Sequence, residues 1–164
     1  MESETTVAKT NNTRQLVLSA LIFAAALVLA AFENALPPIP VPVPGVKLGL
    51  SNIAVMYALF FLSGKRAFAI AVLKAIFVFS TRGLIAGIIS LSGGIVSVLV
   101  MLVMMFIFSD KISYLLVSIS GAVFHNIGQI TAAMVIYSSV YLASYIPFLV
   151  VAGVIAGIAT AVIL

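Results

Sequence analysis

Long apolar runs, separated by short polar, glycine or proline breaks, fill the chain from Leu16 to its end. A helix needs about 20 residues to cross a hydrocarbon core about 30 Å thick, so 164 residues hold about six or seven spans at most. We predict helices over Leu16–Leu36, Lys47–Leu62, Ala67–Thr81, Leu84–Phe108 and Ile112–Val135, and from Tyr145–Pro147 to Leu164. The chain is therefore predicted to be an all-α membrane protein, with a single six-helix transmembrane domain (residues 13–164) after a disordered cytoplasmic tail (residues 1–12).

Composition supports the membrane assignment, because 64% of the residues are apolar and 7% are charged. Soluble domains average about 45–50% apolar and about 25% charged residues, and so few charges could not cover a soluble fold. The first apolar run continues past signal-peptide length without a convincing cleavage site, which predicts a retained span. The net charge of +4 comes from basic residues scattered between apolar runs, so we expect no nucleic-acid partner.

A proline-rich segment joins the first two predicted helices, and residues 37–45, PPIPVPVPG, contain five of the six prolines. Such a segment is extended and has few internal hydrogen bonds. Its unpaired backbone cannot lie in lipid. Residues 37–46 are therefore predicted to form an extracellular lid over the mouth of the bundle.

The basic residues of the short loops set the orientation, because lysine and arginine concentrate on the cytoplasmic side. With the N-terminus inside, five of them are cytoplasmic: Lys9, Arg14, Lys65, Arg66 and Lys111. Lys47 and Arg82 then lie outside, and Lys74 lies within the membrane. This asymmetry predicts a multi-pass protein of the plasma membrane with both termini cytoplasmic and an outward-facing pocket.

Three ionisable residues lie at or near membrane depth, where a central charge costs about 2.5–3.5 kcal/mol on insertion scales. Lys74 could have a functional role, in which it binds an anionic ligand. It could instead have a structural role, in which it is paired within the bundle or snorkels to an interface, and the sequence leaves both interpretations open. Arg82 follows eight residues later, about 12 Å further along a helix, where it suits a carboxylate or phosphate but equally a lipid headgroup. For Glu33 we favour a salt bridge to Lys47 or Arg82.

His125, Asn126 and Gln129 form the densest polar cluster inside any predicted span. The small residues around them allow another helix to approach closely, so an interhelical hydrogen-bond network would explain them. Three large polar side chains within five residues exceed what packing requires, which favours ligand binding. A lone histidine without cysteine predicts no metal site.

Several absences limit the chemistry that this chain can perform. It has no GxxxxGK[ST] loop, so it does not hydrolyse nucleotides by that route. Asp110 is its only aspartate, which rules out an aspartate-rich magnesium motif for a diphosphate substrate. We therefore predict no catalytic residues, no cofactor and no enzymatic activity.

Two motifs identify a family resemblance: P-G-x-K-L-G-L-x-N at residues 44–52 and G-A-x-x-H-N-x-G-Q at residues 121–129. With the longer runs ENALPPIPVPVPGVKLGLSN and ISLSGGIVS, they make the chain resemble the Gx transporter family over Leu16–Leu164. Members of that family are often labelled heptaprenyl diphosphate synthase component I. They are similar to the S-components of energy-coupling-factor (ECF) vitamin transporters, which are six-helix bundles whose outward site is capped by the loop between the first two helices.

The resemblance implies a division of labour with partner proteins. An S-component binds the solute, while a transmembrane coupling protein and two cytoplasmic ATPases supply energy. In such proteins an alanine pattern on the first helix contacts the coupling protein, and here either Ala20 and Ala24 or Ala26 and Ala30 match it.

Our leading hypothesis is an ECF-type S-component that captures a small, anionic or polar solute, such as a vitamin or an isoprenoid precursor. The predicted substrate-binding residues are Lys47, Asn52, Lys74, Arg82, His125, Asn126 and Gln129. The alternative is a noncatalytic membrane partner of a polyprenyl diphosphate synthase, and a third possibility is a scaffold without ligand.

Overall fold

Six α-helices account for most of the computed structural model, which describes residues 2–35, 47, 49–108 and 112–163. The helices are α1 (Glu2–Ala35), α2 (Asn52–Phe61), α3 (Gly64–Arg82), α4 (Leu84–Phe108), α5 (Tyr114–Ile136) and α6 (Ile146–Ile163). A 3₁₀-helix, Val140–Tyr145, leads into α6. The described residues contain no strand, which confirms the all-α prediction.

Four of the helical segments are long and apolar enough to cross a membrane: Asn12–Ala35, Leu84–Phe108, Tyr114–Ile136 and Val140–Ile163. Large apolar side chains such as Phe106 and Ile155 are exposed on their outer surfaces, where lipid would cover them. These segments support the membrane assignment. The count of six crossings, the cytoplasmic termini and the plasma membrane stay predictions.

The first helix extends further than the apolar pattern indicated. α1 continues through residues 2–12, which were expected to form a disordered tail. This part of the helix is polar and precedes the apolar stretch that begins at Leu16. Its position outside the membrane on the cytoplasmic side remains a prediction.

The other helix bounds agree with the predictions to within three residues, except at the start of α2. There the helix begins at Asn52, five residues after the predicted start at Lys47. Gly49 has φ +80°, a conformation that favours glycine and interrupts the helix, and residues 50 and 51 form a turn. Hydrophobicity alone does not reveal this bend.

Because of this late start, α2 is a short helix beside a full-length one. Its ten residues extend about 15 Å, whereas the 19 residues of α3 extend about 28 Å. Leu62 and Ser63 join the two helices, so α2 begins beside the middle of α3. The Ser63 hydroxyl accepts a hydrogen bond from the Arg66 N–H and caps α3.

The helices enclose two apolar clusters. The larger cluster draws buried residues from α1 to α5, among them Ala26, Val55 and Met101. The smaller one joins α4, α5 and α6 through Ile89, Ile130 and Leu149. Together they hold all six helices in one bundle.

Glycines bring α5 and α6 into close contact. A Cβ at Gly157 would lie 2.4 Å from the Ile119 Cα, and one at Gly153 would lie 2.9 Å from the Val123 Cα. Only hydrogen fits at these positions, which is the use that small-xxx-small spacing has in membrane bundles. The Gly153-x3-Gly157 pair therefore serves packing within the chain.

Two predicted features lie outside the described residues. The proline-rich lid, residues 37–46, belongs to a part of the chain that the structure does not describe. The turn at Asp110-Lys111 lies in the second such part, residues 109–111.

Candidate functional site

A cavity opens between α1, α3, α4 and α5, towards the end of the bundle where α1 and α3 finish. The chain before α2 also contributes to its wall. With its mouth the cavity measures about 320 Å³. The described lining residues are Ala30, Glu33, Asn34, Lys47, Gly49, Ser51, Lys74, Val78, Arg82, Ser90, His125 and Gln129.

Five of the seven predicted substrate-binding residues line this cavity although they are far apart in sequence. They are Lys47, Lys74, Arg82, His125 and Gln129. Lys74 and Arg82 come from α3, and His125 and Gln129 come from α5. Asn52 and Asn126 are absent from the described lining of the cavity.

Three cations and one carboxylate give the cavity a net positive charge. Lys74 is 1% exposed, and neither its ammonium nor the Arg82 guanidinium has a hydrogen-bond or ion-pair partner among the described residues. Glu33 interacts electrostatically with Lys47, Lys74 and Arg82. With these four groups ionised, two positive charges remain without a counterion.

Glu33 makes a different contact from the salt bridge that we favoured. Its Oε1 accepts a hydrogen bond from the backbone N–H of Gly49 at 2.5 Å. No basic side chain of the described residues lies at ion-pair distance from it. The carboxylate is buried, and the backbone contact gives one of its oxygens a hydrogen-bond partner.

Lys47 fastens the segment before α2 to two helices. Its backbone N–H donates to the Gln129 Oε1 of α5 at 3.1 Å, and its ammonium donates to the Asn34 Oδ1 of α1. Partial burial, and next the nearby Arg82 cation, lower the pKa of Lys47, whereas Glu33 acts in the opposite direction. The Lys47 cation is thus held in place by an amide and not by the carboxylate.

Gln129 links this segment to His125. Because its Oε1 accepts from Lys47, its Nε2 is the atom that donates to the imidazole Nε2 at 3.0 Å. The acceptor nitrogen carries no proton, so the neutral ring is protonated at Nδ1. Nδ1 has no hydrogen-bond acceptor among the described residues, although the ring interacts electrostatically with the Gly93 backbone.

Asn126 lies on another face of α5 from its polar neighbours. His125 and Gln129 are four residues apart and share one face, whereas Asn126 is turned by about 100° from His125. Its Nδ2 donates to the Leu149 carbonyl of α6 at 2.8 Å. This hydrogen bond joins α5 to α6, as the interhelical alternative expects. A ligand contact of Asn126 remains a prediction.

Asn52 takes part in a second interhelical network. Its Nδ2 donates to the Ser97 Oγ of α4 at 3.1 Å, and that hydroxyl donates to the Gly121 carbonyl of α5 at 2.8 Å. This chain of bonds joins α2, α4 and α5 beneath the apolar surface. A ligand contact of Asn52 also remains a prediction.

The four alanines of α1 divide into an exposed pair and a buried pair. Ala20 and Ala24 lie on the exposed surface, while Ala26 and Ala30 are buried within the bundle. Ala30 also lines the cavity. Only the first pair offers a surface to another protein in this conformation, and its contact with a partner remains a prediction.

The prediction of site residues missed Ser51 and Ser90. Both are small side chains in apolar surroundings, and neither carries a charge that would have marked it. Ser51 precedes α2 directly, so a correct start for that helix would have indicated it. Ser90 had no comparable signal.

The donor set of the cavity suits an anion. Three cations would repel a metal ion, and no group of three or more histidine, aspartate or glutamate side chains that could hold one occurs in the described part of the chain. Lysine and arginine side chains instead donate to carboxylate or phosphate oxygens. The arrangement can therefore bind an oxyanion.

Comparison with known proteins identifies the family. Residues 22–164 match the family described as heptaprenyl diphosphate synthase component I, so the chain belongs to it, and the predicted family is confirmed. This family is the noncatalytic component of the synthase, in agreement with the prediction that the chain is not an enzyme. No curated protein and no solved structure matches the chain.

Proposed function

We propose that this member of the heptaprenyl diphosphate synthase component I family captures a small anionic solute in the cavity, as the solute-binding membrane subunit of an ECF-type importer. The observation that carries the proposal is the convergence of Lys47, Lys74 and Arg82 on one partly enclosed space, where Glu33 is the only acidic side chain among the described lining residues. In the predicted orientation the cavity opens to the outer face of the membrane, where a solute would arrive.

Lys74 supports solute binding more strongly than a structural role. A buried charge is destabilising unless it is paired or hydrogen-bonded. The described residues give the Lys74 ammonium neither a hydrogen bond nor an ion pair, and Glu33 acts on it only from a distance. An anionic solute would supply the missing partner.

Import also requires an energy source, which this sequence lacks because it has no nucleotide-binding loop. The proposal therefore includes a transmembrane coupling protein and two cytoplasmic ATPases as partners. The exposed Ala20 and Ala24 on α1 would be the contact surface for the coupling protein.

The second candidate function is that of a noncatalytic membrane partner of a polyprenyl diphosphate synthase. The family description favours it, because that description names a component of such an enzyme. In this role the chain would hold a soluble synthase component at the bilayer and would need no ATPase.

Purification of the tagged chain from its native membranes in mild detergent discriminates the two candidates. We expect a coupling protein and two ATPases to co-purify with the chain in stable amounts. Recovery of a soluble prenyl synthase without ATPases would overturn the importer proposal in favour of the second candidate. A chain with leucine at Ala20 and Ala24 serves as a control, because it should lose the coupling protein while keeping its own fold.

A further inference from the structure

The start of α2 and the side chain of Lys74 lie at the same level of the bundle. α2 runs for about 15 Å back from the turn at Leu62 and Ser63. Lys74 lies ten residues into α3, about 15 Å from the same turn. On the predicted crossing of α3 this level is the middle of the bilayer, since α3 is nearly as long as the hydrocarbon core is thick.

Non-helical backbone at this depth is tolerated only where it is buried in protein or lines a cavity. Gly49 and Ser51 meet both conditions, because they are buried and line the cavity. The Gly49 N–H is satisfied by Glu33, whereas no acceptor for the Ser51 N–H occurs among the described residues. The Ser51 N–H is therefore a candidate backbone donor at the start of α2.

The Ser51 side chain supplies a second donor. A serine before a helix normally accepts a hydrogen bond from the first turn, but the Ser51 side chain makes no such bond. Its φ of −63° and ψ of −13° are helical, which differs from the extended conformation that a capping serine adopts. The hydroxyl is left free to serve a ligand.

Lys74 is an independent indication of a ligand at this place. Its side chain is 1% exposed, lines the same cavity and has no hydrogen-bond or ion-pair partner among the described residues. The N-terminus of a helix also carries a partial positive charge and favours anions. The helix end and the ammonium thus favour the same kind of occupant.

We infer that the Ser51 backbone N–H, the Ser51 hydroxyl and the Lys74 ammonium form a seat for a phosphoryl dianion, an inference that rests on the proposed anion-binding function. A dianion neutralises the two uncompensated positive charges of the cavity, whereas a carboxylate neutralises one. A phosphoryl group also presents three oxygens, one for each of the three donors. The remainder of the ligand extends past Arg82 towards the mouth.

Calorimetric titration of the full-length chain in lipid nanodiscs tests the inference, with methyl phosphate and acetate as probes. We expect methyl phosphate to bind at least about tenfold more tightly than acetate, the ratio that about 1.4 kcal/mol gives. Equal affinity for the two probes would overturn the phosphoryl assignment. Failure of the wild-type chain to bind either anion would overturn the proposed function as well.

Two variants test the seat itself. Ser51→Pro keeps the observed φ but removes both the hydroxyl and an N–H that has no acceptor among the described residues, whereas Ser51→Ala removes only the hydroxyl. Because each variant loses at least one hydrogen bond to a charged group, each should bind methyl phosphate about tenfold more weakly or worse. Leu115→Pro, in the first turn of α5 and away from the cavity, is the matched control and should bind like the wild type.

The outcomes separate the seat from the function. If both Ser51 variants bind methyl phosphate like the wild type while Lys74→Met has lost binding, the seat is wrong and anion binding stands. If Ser51→Pro does not fold, Ser51→Ala decides, and wild-type affinity in that variant overturns the seat.

Discussion

Lys74 is the most unfavourable group in the cavity for stability, because its ammonium is buried among helices and no counterion among the described residues contacts it. Sites that bind ligands often keep such a group at the expense of stability. The same residue should therefore have opposite effects on the free and the bound protein.

Lys74→Met removes the charge and keeps the length of the side chain. We expect the ligand-free protein to become more stable by about 1–2 kcal/mol, because an unpaired buried charge is replaced by an apolar group. Chemical denaturation of the purified chain in detergent measures this change. Lys65→Met, at an exposed position, is the control and should change stability little, whereas a strongly destabilised Lys74→Met would show that the ammonium has a structural role.

Gln129→Leu tests the link between α5 and the segment before α2. It removes the acceptor of the Lys47 N–H and the donor to His125, so we expect a loss of about 1–3 kcal/mol. Hydrogen exchange at Lys47 should become faster, as mass spectrometry of the peptide containing it would measure. Thr131→Val, which removes an exposed side-chain bond within α5, is the control. Unchanged exchange at Lys47 would contradict the link.

At the scale of residues, charge and polarity indicated much of the lining of the cavity, whose binding role stays a prediction. Lys74, Arg82, His125 and Gln129 were recognisable because lipid surroundings make polar side chains rare. Asn126 is adjacent to His125 in sequence, but its direction depends on the rotation of α5, which a polar cluster does not define. Ser51 and its backbone N–H carry no such signal. Their place in the cavity depends on where α2 begins, and the apolar pattern does not show that start.

At the scale of elements, the long helices were predictable and the short one was not. α4 has the predicted bounds because Gly83 and the polar residues after Phe108 interrupt an otherwise uniform apolar run. α2 begins late because of the turn at Gly49, whose positive φ is not visible in the pattern. This late start makes α2 about half as long as a membrane span. The residues just before it line the cavity.

Gly157→Ala tests the contact between α5 and α6. The new Cβ would lie 2.4 Å from the Ile119 Cα, so α6 must move, and we expect a loss of about 1–3 kcal/mol. Gly94→Ala is the matched control, because its Cβ would meet only the Ala71 Cβ, at 3.5 Å. A mid-helix alanine there should be neutral or stabilising by up to about 1 kcal/mol. Equal melting temperatures for the two variants would contradict the close packing at Gly157.

At the scale of the whole molecule, the topology depends on α2 and α3, which accompany four helical segments long and apolar enough to cross a membrane. α3 carries Lys74 and Arg82, and α2 is too short to cross alone. The predicted six-span topology treats the two helices, with the segment before them, as a pair of crossings.

The absence of cysteine allows a clean test of this topology. Single cysteines at Thr13 and Lys65 should react with a membrane-impermeant maleimide only after cells are opened, because both positions are predicted to be cytoplasmic. A cysteine at Ser138 should react on intact cells. Labelling of Lys65→Cys on intact cells would contradict the six-span topology.

The central claim, that the cavity binds an anion through Lys74, is tested most directly by anion-dependent stabilisation of the purified full-length chain. Melting is followed with methyl phosphate raised to millimolar concentration at constant ionic strength, because a ligand at 100 times its Kd stabilises by about 2.7 kcal/mol. We predict that the wild type and Lys65→Met are stabilised to the same extent and that Lys74→Met does not respond. Equal stabilisation of Lys74→Met, or no response of the wild type, would contradict the claim.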